Sequence, residues 1–287
     1  MDIHDNGIPT IDWMGLPRDT ARCAACPHAG LNARGGCELG RSCMQDAYAR
    51  RIDRFFRTHR ELSAMHLQHP YFEVRAIAAR WADVFQLPAM MADPDETVRL
   101  QVALRLPQRQ LLQLRDDPHR EVRVRVALRL DVAQLTPMAL DDDYRVREIV
   151  ARRLPEALLP MLMRDVDLQV RLAVAQRLAM PALLPMLIHD ADLQVRLAVA
   201  QRLPMPALLR MATDRDAEVR RVVAERLPAP LLPQLAADAD WLVRWHVAAR
   251  ASAVLAQHLC NDAEAEVREA ATERLAALQS EGETVHG

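Results

Sequence analysis

The chain has 287 residues, 51% of them apolar, and its 39 acids face 37 basic residues, every one an arginine, for a formal charge of −2. So even a balance gives no global attraction to nucleic acid or anionic lipid. No stretch approaches the ~20 uninterrupted apolar residues of a membrane helix, and the opening MDIHDNGIPTIDW carries acids where a secretory signal has a basic and then an apolar run. The expectation is a soluble, cytoplasmic protein with no membrane partner.

The first region is irregular. Six of the eight glycines lie there (Gly7, Gly15, Gly30, Gly35, Gly36, Gly40), and eight of the eleven aromatics fall before residue 86 (Trp13, Tyr48, Phe55, Phe56, Tyr71, Phe72, Trp81, Phe85), which predicts an aromatic core of its own. Within it runs CAACPHAGLNARGGCELGRSC, setting Cys23, Cys26, Cys37 and Cys43 in the pattern C-x2-C-x10-C-x5-C. In a reducing compartment such crowding points to a metal or cluster site in preference to a disulfide framework. Turn-forming glycines and Pro27 let the backbone wrap around one centre. Four cysteinates suit structural zinc as well as a [4Fe-4S] cluster, but zinc sites usually pair two short C-x2-4-C knuckles. The C-x5-C half departs from that, so the spacing favours a cluster, with zinc as runner-up. His28 reads as a solvated or flanking histidine before it reads as a ligand.

Residues 44–60, MQDAYARRIDRFFRTHR, predict a helix with Tyr48, Ile52, Phe55 and Phe56 on one face. Arg50, Arg51, Arg54, Arg57 and Arg60 outnumber Asp46 and Asp53 on the rest. Two readings stand open: a capping helix with a solvated basic side, or compensation of a cluster's charge and docking of an acidic redox partner. A degenerate first repeat fits at 50–68.

From there the chain repeats itself. A Val-Arg pair begins at Val74, Val98, Val122, Val146, Val170, Val195, Val219, Val243 and Val267, with 24 residues in seven of eight intervals and 25 in one. Each unit reads D-x-D-x-x-V-R-x-x-V-A-x-R-L-P. Asp93 and its counterparts, five residues before the Val, are expected to be N-caps, with Pro94 and Pro118 at the first helical position and a second acid in the first turn. Val170, Ala173, Val174 and Leu178 make one apolar stripe, and the helix ends near Pro107, Pro155, Pro204 and Pro228. About 13 residues go to this helix, so the rest must share two turns and one short element that proline sets up. Arg171 and Arg177 and their equivalents flank the stripe. They form a ladder held by neighbouring acids and carbonyls, or an anion-binding surface; balanced charge favours the ladder. Cys260, in the short element of the eighth unit, is expected to be a small core residue.

A four-cysteine segment followed by such units resembles the leucine-rich repeat variant iron–sulfur proteins, over roughly residues 20–278. The resemblance implies an all-α fold: a right-handed superhelical solenoid of alternating α- and 3-10 helices with a small amino-terminal cluster domain. It implies Cys23, Cys26, Cys37 and Cys43 as [4Fe-4S] ligands and an association with nitrogen fixation. The first unit departs from the pattern, with His69 at the Asp position and Arg80 one place early. The division expected is a cluster domain with capping helix at 1–60, about nine repeats at 61–279, and a disordered tail at 280–287.

Three functions compete. The first is a non-enzymatic iron–sulfur protein whose repeats bind a protein partner and whose cluster is redox-responsive or carries electrons. The second is a nucleic-acid-binding solenoid with an Arg-rich face, which the charge balance disfavours. The third is an enzyme on a helical scaffold. Against it stand the absence of H-E-x-x-H, G-x-S-x-G and a dinucleotide fingerprint, and the recurrence of acid pairs such as Asp165 and Asp167 in nearly every unit. A zinc-stapled adaptor remains a variant of the first.

Overall fold

The valine of each Val-Arg pair is the third residue of an α-helix, of eight to ten residues in all units but the last, and is fully buried in all nine. A computed structural model of the protein describes residues 7–178 and 183–284. Part of the connecting piece expected at 180–187, residues 180–182, and the end of the tail, residues 285–287, lie outside the described residues. The described residues are helical, with only two isolated β-bridges, Ile11 with Pro17 and Glu38 with Ser42. No helix among them is long and apolar enough to cross a membrane. The chain forms two compact units, Met1–Val150 and Ala151–Gly287.

The first unit starts with α1 (Thr20–Ala24) and α2 (Ala29–Asn32), then α3 (Ala49–Thr58). Repeat helices α4 (Phe72–Trp81) and α5 (Glu96–Ala103) follow, then the single turn α6 (Gln108–Leu111), α7 (Arg120–Arg129) and α8 (Tyr144–Arg153), in which the unit ends. The second unit holds α9 (Leu168–Arg177), α10 (Leu193–Arg202), α11 (Ala217–Arg226), α12 (Trp241–Ala248), α13 (Ala253–Leu259) and α14 (Ala265–Thr284). Helix α14 carries regular structure four residues past the start of the expected tail.

Helices of eight to ten residues are marginal in isolation and persist here by packing on their neighbours: α4 on α5, α9 on α10, α10 on α11, α11 on α12. Val170, Ala173, Val174 and Leu178 are buried as the stripe requires. Between α-helices run 3-10 segments such as Val84–Met90, Glu156–Leu162 and Ala229–Leu235, each with an internal proline (Pro88, Pro160, Pro233). Proline has no N–H for the i−4 bond, so the tighter turn costs less there. Two connectors are α-helical instead, α6 and α13, and neither contains a proline.

The helix starts differ from expectation. The N-cap is the second acid of the pair, so the helix begins two residues later and is shorter than 13. Asp95, Asp167 and Asp192 each accept the N–H two residues on at 2.8 Å. The first acid lies one turn upstream, where its Oδ1 accepts the backbone N–H of the second, as in Asp93 from Asp95 at 2.9 Å and Asp238 from Asp240 at 2.8 Å. Pro94 and Pro118 therefore sit in this Asx turn, outside the helix. In the departing first unit His69 replaces the aspartate and does its work: Nδ1 accepts the Tyr71 N–H at 3.1 Å.

The first carboxylate also receives an arginine from the preceding unit. Arg75 to Asp93, Arg99 to Asp117, Arg123 to Asp141, Arg171 to Asp190, Arg220 to Asp238 and Arg244 to Asp262 are bidentate, with N···O distances of 2.7–3.1 Å. Arg196 divides its donors between Asp214, at 2.9 Å, and Asp216. The second arginine row caps the helix before it: Arg105 donates to Ala79 O and Ala82 O at 2.7 and 2.6 Å, and Arg250 to Ala224 O at 2.6 Å. Arg129, Arg177, Arg202 and Arg226 donate to Ala103 O, Ala151 O, Ala175 O and Ala200 O in the same way. The two rows form the ladder.

Candidate metal centre

The cysteine segment is a chain of tight turns. Asp19 caps α1 by accepting the Arg22 N–H at 2.9 Å, and Cys23 donates its N–H to Asp19 O, which places Cys23 at the end of this turn. Cys26 N–H then donates to Cys23 O at 3.2 Å, and Ala29 N–H to Cys26 O at 2.9 Å, closing the loop through Pro27 into α2. After α2, Gly35 takes φ +73°, in the left-handed region that glycine occupies without strain. Gly36 lies so close to its surroundings that a Cβ would meet Leu31 O at 3.2 Å and the His59 ring at 3.3 Å. The His59 Nε2–H donates to Gly36 O at 2.6 Å, and Asn32 Nδ2 donates to Cys37 O at 3.0 Å, so both sides of Cys37 are tied down. Glu38 and Ser42 exchange backbone bonds at 2.9 Å around Gly40, returning the chain to Cys43.

Beneath the segment lies α3. Phe55 and Phe56 are buried with rings 5.3 Å apart. The aromatic core is smaller than expected, because Phe85 is 91% exposed. Arg51 is not on the basic side: it is buried, 3.1 Å from buried Asp46, and donates to Ile8 O and Pro9 O. His28 is half-buried, and its Nε2 meets Nε2 of His66 at 3.0 Å over Phe55. Burial, and then the charge of neighbouring histidines, pulls His66 down to about 4.

All five cysteines are free thiols. Burial pushes Cys43 up to about 11. Burial also raises Cys37, partly offset by Asn32, and repulsion from Cys26 and Cys23 adds to it. Cys26 adds a small repulsion at Cys43 as well. Cys260 lies apart in the second unit, half-buried at the end of α13 with its sulfur 3.7 Å from Thr272 Oγ1, and not in the core.

Among the described residues no three His, Cys, Asp or Glu side chains converge closely enough for a single metal ion. A [4Fe-4S] cluster takes one cysteinate per iron around a wider core, so its ligands stand farther apart than those of a single ion. One further group fits an anionic centre here. The Nε of Arg18 is buried with no hydrogen-bond partner, and its charge lowers the Cys43 pKa. A buried guanidinium N–H without an acceptor is costly, and cluster sulfurs beside Cys43 would supply one. Sequence reasoning missed Arg18, His59 and His66, since no periodicity marks them.

Comparison with known proteins fits this arrangement. Residues 10–65 match the model of the LRV protein FeS4 cluster family, and 96–119, 144–167 and 193–216 match the leucine-rich repeat variant. A solved leucine-rich repeat variant with a novel repetitive structural motif is similar at 39% identity and TM-score 0.61, over 88% of this chain and 98% of that one. The chain belongs to the leucine-rich repeat variant iron–sulfur family. Another relative of this family member is an uncharacterized 27.7 kDa protein in the nifB 3′ region of Rhodobacter capsulatus, 48% identical over 101 residues. That match covers 35% of this chain, which spans 40% of the relative's length.

Proposed function

We propose that Cys23, Cys26, Cys37 and Cys43 hold a [4Fe-4S] cluster, and that this leucine-rich repeat variant serves without catalysis of its own, as an iron–sulfur protein that meets a protein partner in a process allied to nitrogen fixation. The observation that carries the reading is the run of hydrogen-bonded turns that carries four free thiols, with the buried, unpartnered Nε of Arg18 in the same segment. When bound, such a cluster supplies a one-electron couple. The chain's own residues do the rest. Asp19 and Asn32 fix the turns that carry Cys23 and Cys37, and the glycines let the backbone close around the centre. Arg18 would offer its N–H to a cluster sulfur, and Phe55 with the His28–His66 pair packs beneath Cys26. Since thiolates and not thiols bind iron, loading must release the Cys43 proton against its raised pKa. The nitrogen-fixation link rests on the relative in the nifB 3′ region.

The test is iron and acid-labile sulfide analysis on anaerobically purified protein, with Cys37→Ser and Cys260→Ser beside it. The reading requires about four of each per chain, lost in Cys37→Ser and kept in Cys260→Ser. One zinc per chain without sulfide would replace the cluster by a structural staple.

A further inference from the structure

Two clefts open side by side along α3 and share Arg54 and Arg57. One, of about 370 Å³, lies between α3 and α4 and is lined by Arg50, Asp53, Arg54, Arg57, Glu73 and Arg80. The other, of about 310 Å³, opens on the cysteine loop and adds Cys37, Glu38 and Arg41. Together they set five arginines against three acids. Asp53 is already shared by Arg57 at 2.8 Å, Arg80 at 3.1 Å and the Trp81 indole N–H at 3.1 Å, so one carboxylate answers two guanidiniums. Arg41 and Arg57 are 61% and 62% exposed. Arg50 is exposed, and among the described residues no hydrogen bond or ion pair holds it.

The repeats use their arginines otherwise, for each row position described above is committed to a carboxylate or a carbonyl. Arg50 of α3, by contrast, has no such partner among the described residues, and with the exposed Arg41 and Arg57 it gives the joined clefts a surplus of positive charge that reaches the edge of Cys37. We propose that the joined clefts are the docking surface for an acidic protein, whose carboxylates take the forked guanidinium donors of Arg41, Arg50 and Arg57. The inference rests on Cys37 as a cluster ligand and adds the partner's chemistry and its place. Glu38, Asp53 and Glu73 interleave with the arginines, an alternation that suits a mixed protein surface and would repel a continuous phosphate backbone.

The full chain, loaded with cluster and assayed for iron and sulfide, is titrated with a carboxylate-rich plant-type [2Fe-2S] ferredoxin and with a DNA duplex, at low and at moderate salt. Arg50→Glu removes no internal contact, and Arg164→Glu, an exposed change in the second unit, is the control. The proposal predicts association with the ferredoxin that weakens with salt, a loss of about tenfold in Arg50→Glu, and less than twofold in Arg164→Glu. No association at low salt overturns it, as do equal losses in the two variants or an Arg50-dependent preference for DNA. A chain without iron fails at the assay, which overturns the cluster reading and this placement with it. A loaded chain that does not bind overturns the docking surface alone.

Discussion

Arg99 lies between two repeats, with 10% of its side chain exposed, and spends its whole donor fork on them: Asp117 ahead, Asp93 O and Pro94 O behind. Removing it strands Asp117, 2% exposed, as a buried carboxylate. Loss of one partner of a buried pair costs about 3–5 kcal/mol, so Arg99→Ala should lower the denaturation midpoint by that much, measured in guanidinium chloride. An exposed change such as Arg164→Ala should stay within about 0.5 kcal/mol. The sequence shows the arginine and aspartate rows and leaves two uses for them. Which aspartate each arginine reaches, 18 residues on in most units, is a property of how units stack, and only the hydrogen bonds decide it. The surroundings of the thiols were less legible still. His28 meets His66 across 38 residues and Arg18 approaches Cys43 across 25, contacts made once each, with no repeat to advertise them.

At the scale of the element, cap and charge set helix stability. Asp192→Ala should cost about 1 kcal/mol through loss of the bond from Gln194 N–H, read from the shift in midpoint. The sequence located every repeat helix but began each one two residues too early, because both acids of D-x-D have cap chemistry and only the backbone tells the Asx turn from the cap. It placed the proline-bearing connectors well and the proline-free α13 less so. Two pH effects follow. The Arg244 bond holds the Asp262 carboxyl below its usual range. A carboxyl depressed in the folded state binds its proton more readily when unfolded, so its stabilisation is present above about pH 4 and fades as pH falls further. Helicity by circular dichroism should accordingly soften below about pH 4. For His66, at about 4 in the fold, the unfolded chain binds the proton first. Its contribution to the stability of the cluster-free chain should therefore fall as pH drops from about 6.5 to about 4, with Tm reporting it, and His66→Gln should flatten the slope over that window.

At the scale of the whole molecule, repeat arrays take their stability from units and nearest-neighbour interfaces. Each unit carries both halves of the ladder, an aspartate for the unit before and an arginine for the unit after. Excising residues 98–121 would join Thr97 to Val122, restore every ladder partner, and keep a cooperative fold with one unit's loss of helicity. Excising half that length would break the register, and the thermal transition should broaden or vanish. The repeats read from the sequence as fold, and the proposed function rests on what the cysteine segment binds. The most direct measurement is the Mössbauer spectrum of full-length protein loaded with ⁵⁷Fe under anaerobic conditions. The account predicts the signature of a four-iron, four-sulfide cluster, absent in Cys43→Ser. Iron seen only as isolated thiolate-bound ions, or the same spectrum after Cys43→Ser, would contradict it.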